Sequence, residues 1–336
     1  MRFGLSLPHY DFSLPGGEAI SFSQLAEYAQ MAERLGFDSV WISDHFFYSL
    51  ARYGAAGDEL HGSLEPMTAL AGLAPLTERV RLGTLVLCAP FRHPAILAKS
   101  ATALDLLSGG RLDLGIGAGW YEDEFVAFGY DFSTVGNRFR FLEEAVEVLD
   151  RLLPGGPVSL KGEHVELREA FNRPVPAQRP RPPIWIGAKG GDRALRLAAR
   201  HADGWNTVWR WTPETYAKRV KRAREICEQE GRDPVTLRLS LGLYTIVGED
   251  AGDLVARFGA MQRSLPEGVL DRETLDEFAA DTLTGTPAQV LDRLGRFAEL
   301  GVEEVIVAPA ALPFAVPDPS ILGILGTEVF PAARSL

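Results

Sequence analysis

AERLGFDSVWISD, residues 32 to 44, reads as the end of a helix, a turn and then a strand. Gly36 follows the last helical residues, where a left-handed cap suits glycine, and Ser39 to Ser43 form a short β-rich apolar run. The same grammar returns in AARHADGWNTVW at 198 to 209 and in FAELGVEEVIVAP at 297 to 309, with Gly301 again just past a helix. This is the αβ half of a βα repeat, and it recurs along the whole chain.

The complementary halves fit the same plan. Ser21 with Gln24 forms a capping-box start for a helix with Phe22, Leu25, Ala29 and Ala32 on one side, and Thr286, Pro287 and Gln289 start another. Phe139, Leu142, Val146, Leu149 and Leu153 recur every three or four residues, one stripe of a further helix. Strands are expected at Arg2 to Leu7, Ser39 to Ser43, Arg81 to Leu87, Arg111 to Ile116, Ile184 to Gly187, Gly204 to Val208, Leu237 to Val247 and Glu304 to Ala308. They are continuous apolar runs, as parallel strands buried on both faces should be. Eight such runs alternating with helices predict an α/β fold of the (β/α)8 TIM-barrel type; a doubly wound sheet is the rival, but the even spacing favours closure. Insertions are expected at about 46 to 65, 154 to 183 and 248 to 284, the second a small β excursion and the third helical. No linker divides the chain, so residues 1 to 336 read as one domain.

A formal charge of −11 argues against a sequence-independent grip on nucleic acid or on an anionic membrane. Cys88 and Cys227 stand far apart with no metal-ligand spacing, and no stretch reaches the ~20 apolar residues of a membrane span. A reduced, cytoplasmic protein without a metal centre is the expectation.

In a barrel of this kind the carboxyl ends of the strands build the active site. Asp44 and His45 follow the second strand; a histidine there can give or take a proton with a carboxylate to orient it, or it can serve a structural hydrogen bond. GIGAGWYEDE, residues 115 to 124, is only a partial dinucleotide fingerprint, since Trp120 stands where the last glycine belongs. Its glycines could let backbone approach a flat ring, or could reflect tight packing at the barrel mouth. IGAKGGDRAL, residues 186 to 195, places Gly187, Lys189, Gly190 and Gly191 before a helix, a candidate phosphate site. Arg92 and His93 precede Pro94 and could face a ligand or cap the rim, whereas His164 and His201 read as solvated and structural. GxSxG, HExxH and GxxxxGK[ST] are absent, so hydrolysis loses ground to ligand-borne chemistry.

Taken together, GFDSVWISDHF, LGTLVLCAPFRHP, GRLDLGIGAGWYEDEF, NRFRFLEEAVEVL, PPIWIGAKGG and ADGWN resemble the luciferase-like monooxygenase family over nearly the whole chain. The resemblance implies a βα barrel that uses coenzyme F420 or FMN, and the SDHF form looks like the F420-dependent branch. It implies a hydride exchanged between the deazaflavin and a small organic substrate, with His45 handling the proton and Asp44 orienting it and helping to place the ring. It also implies a non-proline cis peptide at Leu85–Val86 behind the ring, ring contacts from Gly117, Ala118 and Gly119, and a phosphate loop from Gly187 and Ala188 through Lys189 to Gly190 and Gly191. His9, Arg92 and Trp120 are candidates for the substrate side. Members of the family often form homodimers, and a flavin or F420 reductase is an expected partner. The alternative is an FMN-dependent monooxygenase that uses oxygen. Sugar-phosphate dehydrogenases of the F420 branch carry a tryptophan where this chain has Ser49 and a glutamate where it has Trp120, so glucose 6-phosphate is not implied.

Overall fold

The computed structural model describes residues 1–17 and 20–336. Its core is a closed parallel barrel of β1 (Arg2–Ser6), β2 (Ser39–Ile42), β3 (Arg81–Thr84), β4 (Leu112–Gly117), β5 (Ile184–Gly187), β6 (Gly204–Trp209), β7 (Arg238–Val247) and β8 (Val302–Ala308). Each strand pairs with the next in chain order, and β8 returns to β1 with Val307 opposite Leu5. The expected (β/α)8 TIM barrel is therefore present, with strand ends within a residue or two of those read from sequence except at β3, which stops at Thr84 rather than Leu87.

Bulky rings fill the barrel because neighbouring strands give way to them. Trp41 on β2 lies between Gly4 and Gly83: a methyl on Gly83 would sit 2.2 Å from the indole, and one on Gly4 would sit 2.7 Å from its nitrogen. Trp185 on β5 imposes the same rule on Gly204, where an added methyl would be 2.3 Å from the ring. Large and small side chains thus alternate around the barrel, as dense packing without voids requires. The indole N–H of Trp41 donates to Ser39 Oγ at 2.7 Å, and Ser39 in turn donates to the buried Glu304. Burial pushes the Glu304 carboxyl up from its ordinary pKa, opposed by nearby Arg2.

Cap chemistry starts the helices where the sequence placed them. Ser21 and Gln24 satisfy each other's backbone donors at the start of helix Phe22–Arg34, as do Thr286 and Gln289 at Pro287–Glu299. Among the described residues no helix is long and apolar enough to cross a membrane.

The expected β excursion holds an antiparallel hairpin of Val158–Lys161 with Glu166–Ala170, and the segment after β7 holds helices Ala251–Ser264 and Leu275–Ala280. A second hairpin, Phe47–Ser49 with Leu60–Gly62, follows β2. The turn inside it meets the 265–273 loop: Ala56 N–H donates to the Glu267 carbonyl at 2.8 Å, beside Gly54 and Gly268 at φ of +98° and +93°. A methyl on Gly54 would lie 2.7 Å from the Gly268 oxygen, and the reverse substitution closer still, so only glycine fits both positions.

Candidate active site

A cavity of about 480 Å³ opens at the carboxyl ends of the strands. Its wall is built from the residues that follow β2, β3, β4 and β5, the end of β6, and Pro313 and Phe314 beyond β8. The size and the largely apolar lining with a few polar groups suit a cofactor or small-molecule site.

His45 lies in this wall, and its orienting carboxylate is Glu124. The imidazole Nδ1 is 2.5 Å from Glu124 Oε1, while the other carboxylate oxygen accepts from the Phe46 N–H at 2.5 Å. Glu124 is 1% exposed on the short helix Glu122–Ala127, so both of its oxygens are committed to the stretch that carries the imidazole. With Nδ1 donating to the carboxylate, Nε2 is left as the nitrogen that can take a proton, and it has no hydrogen-bond partner among the described residues. The ring is held edge-on between Tyr48 and Trp120, at 5.2 and 5.6 Å between centroids.

Asp44 does not orient His45, contrary to the sequence expectation. Successive side chains of an extended segment point to opposite sides, so adjacent residues seldom serve one another. Asp44 instead accepts from the Cys88 N–H at 2.8 Å and from both terminal nitrogens of Arg92 at 2.5 and 2.9 Å. It still borders the cavity, but its bonds tie the end of β2 to the segment after β3. Arg92 is thereby withdrawn from the substrate side: it pairs with Asp44 and, at 2.6 Å, with Glu65, and it does not line the cavity.

His9 is corrected in the same way. It is fully buried, donating from Nδ1 to the Leu7 carbonyl at 2.9 Å, and its Nε2 is 3.0 Å from the Ser43 hydroxyl. The Ser43 oxygen is in turn 2.5 Å from that of Tyr10, and it is Tyr10 and Ser43 that reach the cavity. Burial pulls the His9 pKa down to about 3, so the ring is a neutral structural group. Trp120, the third candidate, does line the cavity.

The bulge after β3 forms the floor. The Leu85–Val86 peptide is cis, as expected, and the ladder resumes at Leu87 and Cys88 against Ile116 and Gly117. Val86 is wedged among glycines: a methyl on Gly187 would lie 2.7 Å from it and one on Gly117 3.0 Å. Packing at the mouth therefore accounts for these two glycines, and its result is a floor of backbone and short side chains from Gly117, Ala118, Gly119, Gly187 and Ala188. A second non-proline cis peptide, Val208–Trp209, lies at the end of β6.

Lys189 also reaches the cavity, but its ammonium donates to the Val208 carbonyl. Gly190 and Gly191 lie outside the cavity wall. Gly190, at φ +80°, packs over Trp205, whereas Gly191 opens helix Asp192–His201 without a side-chain cap and with free space around it. These residues leave helix-end N–H groups beside the cavity that an anionic group could engage.

A flat ring fits what is present. Three adjacent strand ends present little bulk, and Thr207 Oγ1, buried in the same wall, lacks a hydrogen-bond partner among the described residues. Such an orphaned hydroxyl suits the polar edge of a heterocycle.

Sequence reasoning missed Glu124, Thr207, Trp209, Phe314 and the tyrosines at 10, 48 and 53, all of which line the cavity. The sequence carries an acidic run at Glu122, Asp123 and Glu124, and only the helix phase selects Glu124. The tyrosines carry no local motif.

Residues 1–304 match the family model described as luciferase-like monooxygenase. The chain is 34% identical over 199 residues to an F420-dependent glucose-6-phosphate dehydrogenase of Microbacterium testaceum, a stretch covering 59% of this chain and 56% of that protein. It is 27% identical over 354 residues to a phthiodiolone/phenolphthiodiolone dimycocerosates ketoreductase of Mycobacterium tuberculosis, covering 90% of each. Among solved structures, an F420-dependent secondary alcohol dehydrogenase in complex with an F420-acetone adduct superposes with a TM-score of 0.78 at 22% identity over 99% of each chain. EDTA monooxygenase from Chelativorans superposes with a TM-score of 0.79 at 18% identity, over 100% of this chain and 93% of that one. At these identities the two structures attest the shared fold.

Proposed function

This chain belongs to the luciferase-like monooxygenase family, and on that premise we propose that it is a coenzyme F420-dependent oxidoreductase acting on a small organic substrate. The observation that carries the reading is the His45–Glu124 pair in the cavity wall, with Nε2 unpartnered among the described residues. F420-dependent enzymes among the relatives support the choice of cofactor.

Bound coenzyme F420 supplies a hydride donor and acceptor. Leu85 and Val86 would back its ring, Gly117, Ala118, Gly119, Gly187 and Ala188 would leave room for it, and Lys189 with the amides at Gly190 and Gly191 would meet its phosphate side. His45 takes a proton at Nε2 when substrate is oxidised and returns it when substrate is reduced. Glu124 holds the ring in the tautomer that permits this and stabilises the imidazolium that results. Asp44, fixed by Arg92, keeps the segment after β3 in register behind the ring.

The test is turnover with coenzyme F420 by the native protein and by His45→Ala, with cofactor binding measured on both. Loss of turnover with cofactor affinity kept within a few-fold supports the assignment. FMN-dependent oxygen consumption in place of F420-dependent turnover would establish the monooxygenase alternative.

A further inference from the structure

Two insertions meet at the rim of the cavity, and little holds them together. The turn at 50 to 56 belongs to the hairpin that follows β2, and the tip at 266 to 268 belongs to the insertion after β7. Each is firmly rooted. Leu50 is buried, and the Ser49 N–H donates to the Tyr121 hydroxyl at 3.3 Å. Across from it Leu270 is buried, Gln262 donates to the carbonyls of Leu270 and Glu273 at 3.2 and 3.0 Å, and Arg210 pairs with Glu273 at 2.7 Å. Between these roots the contact is thin. Among the described residues, the bond from the Ala56 N–H to the Glu267 carbonyl, at 2.8 Å, is the one hydrogen bond or ion pair that joins the two insertions. Beside it, backbone meets backbone at Gly54 and Gly268.

The turn carries Tyr53 into the cavity wall and holds Arg52 over the rings of Trp120 and Tyr121, at 5.6 and 4.8 Å. It therefore spans the rim from the segment after β4 to the insertion after β7. Tyr53 packs against Tyr48 at 5.7 Å between centroids. The Tyr48 hydroxyl, buried in the same wall, has no hydrogen-bond partner among the described residues. A hydroxyl cut off from water and left unpaired costs at least as much as one ordinary hydrogen bond contributes. Closure of the empty protein thus sets one backbone bond, Ala56 to Glu267, against one stranded phenol. The polar terms do not hold the turn down, and segments so weakly tied open locally.

We infer that the 50–56 turn and the 266–268 tip form a two-part strap that parts at Gly54 and Gly268 in the empty protein, uncovering Tyr48, and closes when the cavity is filled. The glycine seam makes parting easy, since no side chain of either glycine has to be withdrawn from the other loop. It also makes closure exact in place, because a methyl on Gly54 would lie 2.7 Å from the Gly268 oxygen and one on Gly268 would meet the Gly54 carbonyl. Closing returns Tyr53 to Tyr48 and shields the His45 end of the cavity from water, the usual service of such loops. The inference concerns the rim and does not depend on which cofactor the cavity takes.

The experiment is limited trypsin digestion of the ligand-free protein, with cleavage after Arg52 and Arg272, both exposed and close to the seam, followed by mass spectrometry. Three variants bias the strap. Gly268→Ala wedges it open, Tyr48→Phe removes the hydroxyl that opposes closure, and Ala56→Cys with Glu267→Cys ties the turn to the tip through a disulfide. Cleavage follows the open population when opening and closing are fast. Against the native protein it is expected to rise ~3- to 10-fold in Gly268→Ala and to fall ~3- to 10-fold in Tyr48→Phe, the scale of one hydrogen-bonding group. The disulfide form should be cleaved at least ~10-fold more slowly, should take up coenzyme F420 more slowly by a similar factor, and should recover both rates with reductant. Cleavage that is equal in the native, Tyr48→Phe and disulfide forms, or faster in Tyr48→Phe, overturns the inference, as does equal uptake of F420 by the oxidised and reduced disulfide variant. A native protein that binds no F420 overturns the cofactor reading alone, because digestion of the ligand-free protein still decides the strap.

Discussion

Glu124 grips the loop after β2 at two points, Nδ1 of His45 and the main-chain N–H of Phe46, each at 2.5 Å. One buried carboxylate from the segment after β4 thus fixes both the orientation of the His45 ring and the backbone of the residue that follows it. The first prediction follows from this coupling.

Glu124→Gln keeps an acceptor for one of the two donors but removes the charge that stabilises the imidazolium. F420-dependent kcat is expected to fall ~10²-fold, the usual scale of an oriented acid–base group, while F420 affinity changes less than ~3-fold. Steady-state kinetics beside a fluorescence titration distinguishes this from loss of the cofactor site. Equal falls in kcat and in F420 affinity would mean that Glu124 only shapes the pocket.

Arg92→Ala leaves Asp44, whose side chain is 1% exposed, with the Cys88 N–H as its remaining partner. Stripping one partner from a buried pair costs ~3–5 kcal/mol, whereas removing both charges costs less. Chemical denaturation should show a loss of this order for Arg92→Ala and a smaller one for Asp44→Asn combined with Arg92→Leu. A single substitution that leaves stability unchanged would show the pair to be dispensable.

His9 gives the folded protein a pH dependence of definite sign. Burial keeps it neutral in the folded state down to about pH 3, while in the unfolded chain it protonates near pH ~6.5. As pH falls below that unfolded value, the unfolded state gains a proton that the folded state excludes. Stability therefore declines by up to ~1.4 kcal/mol per pH unit until the folded pKa is reached. Denaturant midpoints between pH 7 and pH 5 should slope less in His9→Gln than in the native protein, whatever the offset between the two curves. Parallel slopes would count against a buried neutral His9.

Gly83→Ala places a methyl 2.2 Å from the indole of Trp41 inside the barrel. Overpacking of this kind costs ~1–3 kcal/mol, and combining it with Trp41→Phe should recover part of the loss. Thermal denaturation of the single and double variants measures the coupling, and strictly additive losses would rule the contact out.

The barrel was legible because its signals are local. Apolar strand runs, Ser21 with Gln24, Thr286 with Gln289 and the glycines past helices each dictate structure within a few residues, and the registers of β1 to β8 follow once the sheet closes. His45, Trp120 and the glycine-rich strand ends were placed by the same logic, since parallel barrels gather strand ends at one mouth. The partners of those residues were not legible. Asp44 stands next to His45 in sequence, yet its carboxylate pairs with Arg92, and the carboxylate that does reach the imidazole lies 79 residues away. Arg92 and His9 share that difficulty: a polar side chain near a strand end can face the cavity or the frame, and only the fold decides between them. Tyr53 depends on the meeting of two insertions at Gly54 and Gly268, which no local pattern encodes.

Side-by-side titration of the purified protein with coenzyme F420 and with FMN, each followed by quenching of the cofactor's own fluorescence, tests the central claim most directly. The account predicts that F420 binds at least ~10-fold more tightly, a difference of ~1.4 kcal/mol. Tighter binding of FMN would contradict it and would make His45 and Glu124 parts of an oxygen-using site.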